Sequence, residues 1–334
     1  MLNEEEGGNH RQLEAMLGRA KVFEKAKKYD VALEILTEVS VTFKNFNPSL
    51  IEKSKIHIFN GDWDQALETI QKVIVEERQN VEALRIYIFY LLSRETDLEL
   101  VVEKMNELME AMRSQEPKNA ELYYNLARLF SRFCGRKETV LKKTMQMLDL
   151  AIGLQPENSL FHTEVGYQKQ IIGDYAGAYT TYQKATTLDE SNLSPLIGMI
   201  YCRVRQDHLD DAEQQLEFIN EINESNSGGT AGKIAELVFI EALIEWKKRS
   251  NADQAIKLLD QALNLHIAAT KQASGNLEFY IKLNADFLME LAQEYLVHCG
   301  SKPISNNQMP PKYLIKAIKL LENVTKQNSG LTDA

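Results

Sequence analysis

Residues 61–67 read GDWDQAL, and residues 28–33 read KYDVAL. Both stretches place an aromatic residue three positions before an alanine, namely Ala66 and Ala32. The phrase returns at residues 173–178 as GDYAGA, and the interval from its alanine to Ala212 equals that from Ala32 to Ala66. A phrase that recurs at a fixed period predicts an array of repeated structural units. A large apolar residue stands four positions after each such alanine, at Leu36, Ile70, Tyr182, Leu216 and Leu259.

The interval between these alanines, about 34 residues, is the period of the tetratricopeptide repeat, in which each unit is a pair of antiparallel helices. The alanine lies where the two helices come closest, so only a small side chain fits there. The pairs Gly61-Asp62 and Gly173-Asp174 predict a left-handed residue that ends one helix and an acceptor that caps the next. The sequence therefore predicts an all-α fold, a tetratricopeptide-repeat superhelical solenoid of antiparallel helix pairs.

The domain organisation follows from these anchors. We expect a disordered leader over residues 1–12, about seven helix pairs over 13–268, and a further helical pair over 269–334 with a polar loop at 300–311. Helix starts are expected at Asn119, at Asn158 and at Ser194-Pro195, because these residue types favour caps and first turns. The predicted repeats cover residues 13–46, 47–80, 81–118, 119–158, 159–192, 193–226 and 234–268.

The charge balance limits the kinds of partner. Lys and Arg total 38 and Asp and Glu total 48, which leaves a net charge of −10. This charge opposes nonspecific binding to nucleic acid or to an anionic membrane surface. The longest apolar run, residues 86–92, is far shorter than the roughly 20 residues that cross a bilayer. The 3 cysteines are far apart, which indicates reduced thiols and a cytoplasmic chain.

No residue set predicts catalysis, a cofactor or a metal. Residues 228–233 read GGTAGK, but a phosphate-binding loop would need a glycine where Ser227 stands and Ser or Thr where Ile234 stands. The histidines and cysteines do not occur at the short spacings of metal ligands. We therefore expect a binding protein and not an enzyme, with no catalytic, cofactor-binding or metal-binding residues.

Protein partners are the expected ligands, because a stack of helix pairs presents a long concave face. The outward positions of the first helix in the two best-matched repeats are the candidate contacts. They are Glu121, Tyr124, Arg128, Thr163, Tyr167 and Gln170.

Two stretches carry a more specific resemblance. Residues 210–222 read DDAEQQLEFINEI, and residues 279–290 read FYIKLNADFLME. They resemble the tetratricopeptide repeat protein 21 family, the large repeat subunit of intraflagellar transport complex A. The resemblance is clearest over residues 190–325, and members of the family are much longer, so it implies a fragment or a shortened relative. It also implies a cytoplasmic scaffold at the cilium, axoneme and basal body. Such a scaffold would join other complex A subunits and support retrograde transport and cargo entry.

The alternative is a tetratricopeptide adaptor of the cytosol that is unrelated to this family and serves another multiprotein assembly. A third possibility is an enzyme whose active site is built on the convex face or on inserted loops, which no residue set supports. The identity of the subunits recovered with the chain separates the first two hypotheses.

Overall fold

The computed structural model describes residues 2–95, 97–226, 233–271, 277–299 and 310–330. Within these ranges the chain forms helices and turns, with no strand. The helices are α1 (Leu2–Lys25), α2 (Tyr29–Thr42), α3 (Asn47–Asn60), α4 (Trp63–Glu76), α5 (Val81–Arg94), α6 (Leu98–Gln115), α7 (Ala120–Ser131), α8 (Glu138–Leu154), α9 (Ser159–Ile171), α10 (Tyr175–Leu188), α11 (Leu193–Arg205), α12 (Leu209–Asn226), α13 (Ala235–Arg249), α14 (Ala252–Lys271), α15 (Leu277–Leu283), α16 (Ala285–Val297) and α17 (Lys312–Gln327). The fold is all-α and built from helix pairs of the tetratricopeptide type.

The helices fall into two compact units. The first unit comprises residues 1–117 and 273–282, and the second comprises residues 118–272 and 283–334. Helices α1 to α14 pair in chain order, and each pair lies at one of the predicted repeats, with α1 and α14 extending beyond theirs. The end of the chain is arranged differently from our expectation of one further pair over 269–334, since residues 277–282 pack within the first unit.

At the two ends of the chain, the structure covers only part of the predicted domain organisation. Helix α1 begins at Leu2, so residues 2–12, which we expected as a disordered leader, are helical. Most of the predicted polar loop, residues 300–309, lies outside the described residues. Helices α16 and α17 form the last helical pair and pack together in the second unit.

The recurring alanines occupy the closest approaches between helices. All of them are at most 1% exposed, which leaves no room for a larger side chain. The apolar residue four positions later packs on the same side of the helix, because residues four apart are neighbours on a helix surface. These alanines are Ala32, Ala66, Ala178, Ala212 and Ala255.

The turns between paired helices follow the predicted chemistry in part. Gly61 and Gly173 both have positive φ, +82° and +86°, a conformation that glycine adopts without steric cost. The Asp174 carboxylate accepts a hydrogen bond of 2.9 Å from the backbone N–H of Gly177. Asp62 makes no such bond, so our expectation of a capping side chain was wrong there. Its carboxylate lies 3.8 Å from the ring of His57.

Asparagine caps the first helix in several of the pairs. Asn119 accepts from the N–H of Leu122 at 3.0 Å, and Asn158 accepts from the N–H of Leu160 at 3.1 Å. The expected start at Ser194-Pro195 was wrong, because Asn192 accepts from the N–H of Ser194 at 3.0 Å and α11 begins at Leu193. Asparagine at the preceding position competes successfully with serine as the cap.

Residues 277–282 bring an aromatic wedge into the first unit. The ring of Tyr280 lies 5.1 Å from that of Phe89 and 6.4 Å from that of Trp63. Its hydroxyl donates a hydrogen bond of 3.3 Å to the backbone carbonyl of Ile58. Arg94 completes the cluster with its guanidinium 4.1 Å from the Trp63 ring. Aromatic contacts of this kind add to the burial of apolar area.

In the second unit, the ring of Tyr182 is held between two glycines of neighbouring helices. A Cβ added to Gly166 of α9 would lie 2.6 Å from the ring, and one added to Gly198 of α11 would lie 2.4 Å from it. Such distances are too short for any real contact. Helices α9, α10 and α11 therefore approach one another only because both positions lack a side chain.

Replacing Gly198 by Ala is expected to lower the free energy of unfolding by about 1–3 kcal/mol, because the added methyl overpacks the site against Tyr182. Urea denaturation followed by circular dichroism measures the effect. The matched control is Gly153→Ala in α8, where a Cβ meets nothing within 4 Å. That control should be neutral or stabilising by up to about 1 kcal/mol. Equal stability of the two variants would show that the Tyr182 ring can move aside.

Candidate functional site

In the second unit, α7, α9 and α11 are the first helices of three successive helix pairs. These helices and the turn after α7 carry arginine and tyrosine side chains that lie near helix α16. Arg132 follows the last residue of α7, and Arg136 lies in the turn before α8. Tyr167 belongs to α9, and Tyr201 and Arg205 belong to α11. We call these five residues the basic ladder.

The deepest part of the basic ladder is an ion pair between Arg132 and Glu164. The guanidinium donates two hydrogen bonds to the carboxylate, of 2.9 Å and 2.8 Å. The exposed fraction of the side chain is 11% for Arg132 and 4% for Glu164. Ser131 and Gln168 also donate to Glu164, at 2.9 Å and 3.1 Å. The pair is thus bidentate and its carboxylate is further satisfied, as a buried charge requires.

The same guanidinium also contacts Tyr167, another residue of the basic ladder. Its central carbon lies 3.4 Å from the centre of the Tyr167 ring, a cation–π contact. Burial by itself lowers the pKa of Arg132, but the neighbouring Glu164 carboxylate raises this pKa by a larger amount. The pKa is therefore raised overall, and the arginine stays charged. The ring of Tyr167 is therefore fixed between a permanent cation and helix α16.

Helix α16 meets the basic ladder with a stripe of carboxylates. Asp286, Glu290 and Glu294 are spaced four residues apart, which places them on one side of the helix. The hydroxyl of Tyr167 donates to Asp286 at 3.0 Å, and that of Tyr201 donates to Glu290 at 2.8 Å. We call these three carboxylates the acidic stripe.

The arginines complete the pairing. Arg136 donates to Glu290 at 3.2 Å and approaches Asp286 at 3.8 Å. Arg205 donates to Glu294 at 3.5 Å and to the hydroxyl of Tyr201 at 2.8 Å. Each carboxylate of α16 therefore faces at least one cation, and two of them also accept from a tyrosine.

Burial dominates the protonation of the acidic stripe. It raises the pKa of Asp286, Glu290 and Glu294, because desolvation disfavours the charged carboxylate. The arginines and the tyrosine hydroxyls act in the opposite direction and stabilise the carboxylates, but they do not cancel the effect of burial. The carboxylates of this contact are therefore largely closed to water, whereas Arg136 is exposed.

The structure places the six candidate contacts in different surroundings. Tyr167 is the one that reaches α16 by a described hydrogen bond. Gln170 accepts from the hydroxyl of Tyr182 at 3.0 Å, and Thr163 donates to the carbonyl of Ser159 at 2.8 Å, both within their own helix pair. The other three lie on α7: Glu121 is exposed, Tyr124 and Arg128 are partly buried, and the Tyr124 ring is 5.1 Å from that of Phe161.

Sequence reasoning missed the other four residues of the basic ladder. Their role depends on helices that follow much later in the chain, so nothing near them in the sequence marks it. The one signal that could have found them is the four-residue spacing of Asp286, Glu290 and Glu294 on a helix that is otherwise apolar.

Metal-binding and nucleophilic side chains are the groups that could support chemistry in the parts of the chain that the structure describes. There, no three His, Cys, Asp or Glu side chains are placed to hold a metal ion, and no helix is long and apolar enough to cross a membrane. Burial raises the pKa of the Cys134 and Cys202 thiols to about 12. These thiols are therefore poor nucleophiles at neutral pH.

Replacing Arg132 by Ala is expected to lower the free energy of unfolding by about 3–5 kcal/mol, because it leaves the Glu164 carboxylate buried without a counter-charge. Thermal and urea denaturation of the full chain measure the change. Lys72→Ala is the control, since it breaks an exposed pair with Glu68 and should have little effect. A loss no larger than that of the control would contradict the role of the buried pair.

Replacing Glu290 by Gln is expected to alter how stability depends on pH. Because burial raises the pKa of Glu290 above 4.5, the folded chain binds this proton more tightly than the unfolded chain. Its stabilising contribution is complete below the unfolded pKa and is lost as the pH rises through the folded pKa. The free energy of unfolding of the wild type, relative to Glu290→Gln, should therefore fall as the pH rises above 4.5 and through the raised folded pKa.

Urea titrations at several pH values measure this difference. Glu322→Gln in α17, at an exposed position, is the control for the loss of one negative charge. A difference that rises with pH would mean that Arg136, Arg205 and Tyr201 stabilise the Glu290 carboxylate by more than burial destabilises it.

Comparison with known proteins identifies the family. Residues 103–334 match the model of the tetratricopeptide repeat protein 21 second ARM domain, and residues 2–67 match that of the tetratricopeptide repeat protein 21 N-terminal ARM repeat. The chain is 38% identical to tetratricopeptide repeat protein 21B of Homo sapiens, over 95% of this chain and 24% of that protein. It is 36% identical to the Mus musculus protein, over 96% and 24%. The chain thus spans about a quarter of these curated relatives.

Solved structures support the fold. A tetratricopeptide repeat protein from Parabacteroides merdae superimposes with a TM-score of 0.57 at 12% identity, over 82% of this chain and 99% of that one. The pilus biogenesis factor PilW superimposes with a TM-score of 0.50 at 12% identity, over 63% and 92%.

The matched residues exclude an adaptor unrelated to the family that the sequence resembles. They include both stretches on which that resemblance depended and most of the first unit. The chain belongs to the tetratricopeptide repeat protein 21 family.

Proposed function

We propose that this chain is a protein-interaction scaffold of intraflagellar transport complex A, which works in the cytoplasm and at the cilium, axoneme and basal body. The observation that carries the proposal is the match of residues 103–334 to the family model, together with 38% identity over 95% of the chain. In this role the chain joins other complex A subunits and supports retrograde transport and cargo entry. The role is one of binding and not of catalysis.

The physical properties of the chain support protein partners in preference to other ligands. Paired helices present rows of side chains at fixed spacing, which suits the recognition of helices and extended peptides. The net charge of −10 disfavours contact with nucleic acid phosphates. The proposal includes no direct insertion into a membrane and no cofactor.

Of the six candidate residues, we assign partner contact to Glu121, Tyr124 and Arg128 on α7, together with the start of α9, because Tyr167 is engaged by α16. Tyr and Arg are the residue types that contribute most often to binding energy at interfaces, and Tyr124 and Arg128 stand one turn apart on α7. The neighbouring Leu160 at the start of α9 is 48% exposed, which adds apolar area to this surface. The tilted contact of the Tyr124 ring with that of Phe161 orders the aromatic ring before a partner arrives.

Affinity purification of the tagged chain from ciliated cells, followed by mass spectrometry, tests the proposal. Complex A subunits are the expected proteins, and recovery of a different assembly would refute the assignment. The double variant Tyr124→Ala, Arg128→Glu should recover these subunits about tenfold less well, because loss of two interface anchors weakens binding by at least that factor.

The matched control for the double variant is Lys142→Ala, which removes an exposed charge of α8 that pairs with Glu138. Circular dichroism of each purified variant establishes that it is folded. If the double variant recovers complex A subunits as well as the control does, the complex assignment stands and the surface of α7 and α9 is removed from it.

A further inference from the structure

A basic surface lies at the end of helix α1, in the first unit. Residues 19–28 read RAKVFEKAKK and contain five cations and one carboxylate, in a chain whose net charge is −10. All five cations are exposed, and none of them forms an ion pair or donates a side-chain hydrogen bond within the described part of the chain. They are Arg19, Lys21, Lys25, Lys27 and Lys28.

The same helix presents a row of small residues to solvent. Met16 and Ala20 are 6% and 4% exposed and belong to the apolar core formed with α2. Ala15, Gly18 and Val22 lie on the opposite side of α1, at positions i, i+3 and i+7, and all three are exposed. Val22 is 64% exposed, and a Cβ added to Gly18 would meet nothing within 4 Å. We call these three exposed residues the α1 strip.

Cations lie on both sides of the α1 strip. Because successive residues of a helix are rotated by about 100°, Arg19 falls on one side of the strip and Lys21 and Lys25 fall on the other. Lys27 and Lys28 follow in the turn between α1 and α2. The surface therefore combines a centre that permits close approach with positive charge along both of its edges.

We propose that this side of α1 is a second partner surface of the chain, and that it binds an amphipathic helix whose narrow apolar stripe carries carboxylates on both sides. The small residues of the α1 strip admit the apolar stripe at close range, and the cations pair with the carboxylates. This inference rests on the proposed scaffold function and adds the chemistry of one partner.

The observations favour an acidic helix over the two other common anionic ligands. A membrane surface requires a broad apolar face, whereas Val22 is the one large apolar residue of the α1 strip. A nucleic acid requires a long basic track with aromatic rings for stacking, whereas Phe23 packs against the core and the chain as a whole is acidic. A short acidic helix reaches the cations without meeting the remaining negative charge.

Binding at this surface should be weak and sensitive to salt. Exposed ion pairs contribute little individually, and dissolved salt screens them. Several pairs and the close contact with the α1 strip must therefore form together. We expect a dissociation constant on the order of 10–100 μM at low salt, and about tenfold weaker binding in about 0.5 M sodium chloride.

Fluorescence anisotropy with the purified 334-residue chain tests the proposal. The probe is a labelled helical peptide of alanine and leucine that carries a row of glutamates on each side of its apolar stripe. The double variant Arg19→Glu, Lys25→Glu reverses one cation on each side of the α1 strip and should bind the probe about tenfold more weakly or worse.

The matched control is the double variant Lys44→Glu, Arg78→Glu. It makes the same change in net charge at exposed positions in the turns after α2 and α4. Its affinity for the probe should stay within about twofold of the wild type, because distant exposed charges are screened. Circular dichroism of each variant establishes that it is folded.

A substitution at Gly18 separates docking of a helix from attraction by charge alone. Gly18→Gln adds bulk without charge to the centre of the α1 strip, in open space, so the fold should be unaffected. It should weaken binding of the probe about threefold to tenfold, because the partner helix can no longer approach closely. Gly18→Ala adds one methyl group and should change the affinity by less than about twofold.

Saturable binding by the wild type that both variants weaken supports the proposal. Absence of such binding at low salt overturns it, and so does unchanged affinity of the Arg19, Lys25 double variant or of Gly18→Gln. Equal affinity for a peptide with glutamine in place of every glutamate also overturns it. Equal or tighter binding of a short DNA duplex or of phosphatidylserine vesicles would assign the surface to a different ligand.

These measurements use no cellular partner, so they can fail while the complex A assignment stands. Conversely, recovery of another assembly from ciliated cells would refute that assignment without affecting binding of the probe to α1.

Discussion

Small residues at the crossings between helices are the constraint on which the rest of this structure depends. Ala32, Ala66 and Ala178 are almost completely buried where paired helices meet, and Tyr182 fits only because Gly166 and Gly198 carry no side chain. Close packing of this kind leaves little freedom in how one helix lies on the next. The positions of side chains at the ends of α7, α9 and α11 are consequently fixed by contacts made elsewhere in each pair.

That fixed framework explains how a row of charges can be buried in the second unit. Desolvation makes a buried ion pair costly unless its geometry is good and its remaining polar atoms are satisfied. Arg132 and Glu164 meet both conditions through two direct hydrogen bonds and through Ser131 and Gln168. The rigid stack holds the guanidinium and tyrosine donors at the spacing of one helix side, and α16 supplies the matching carboxylates.

Charge helps to set how helix α16 lies on the first helices of the second unit. Apolar surfaces accept most apolar helices, whereas arginines and tyrosines at fixed positions favour the one placement of a helix that brings its carboxylates to them. The basic ladder therefore contributes to the specific position of α16 in the second unit. Tyr124 and Arg128 lie on α7, which Arg132 directly follows, and this relates the proposed partner surface to the ladder.

The amino-acid sequence by itself determined the helix pairs. The fixed repeat period, the small residue in each unit and the glycine turns act over short distances, so the pairs from α1 to α14 could be placed from the chain alone. Local sequence did not decide every helix cap. Asn192 and not Ser194 caps α11, and the side chain of Asp62 makes no capping hydrogen bond. The family resemblance could also be recognised from the sequence, over residues 190–325.

Only the tertiary structure decided the site. Tyr167 was predicted as a contact, but its partner Asp286 is 119 positions away, and Arg136 and Glu290 are 154 positions apart. Arginines at helix ends and carboxylates on a later helix each look like ordinary solvated charges in the sequence. They become a buried ladder because packing of Leu291 and Tyr295 into the core turns the acidic side of α16 toward α9 and α11. That orientation depends on long-range apolar contacts, which no local sequence pattern encodes.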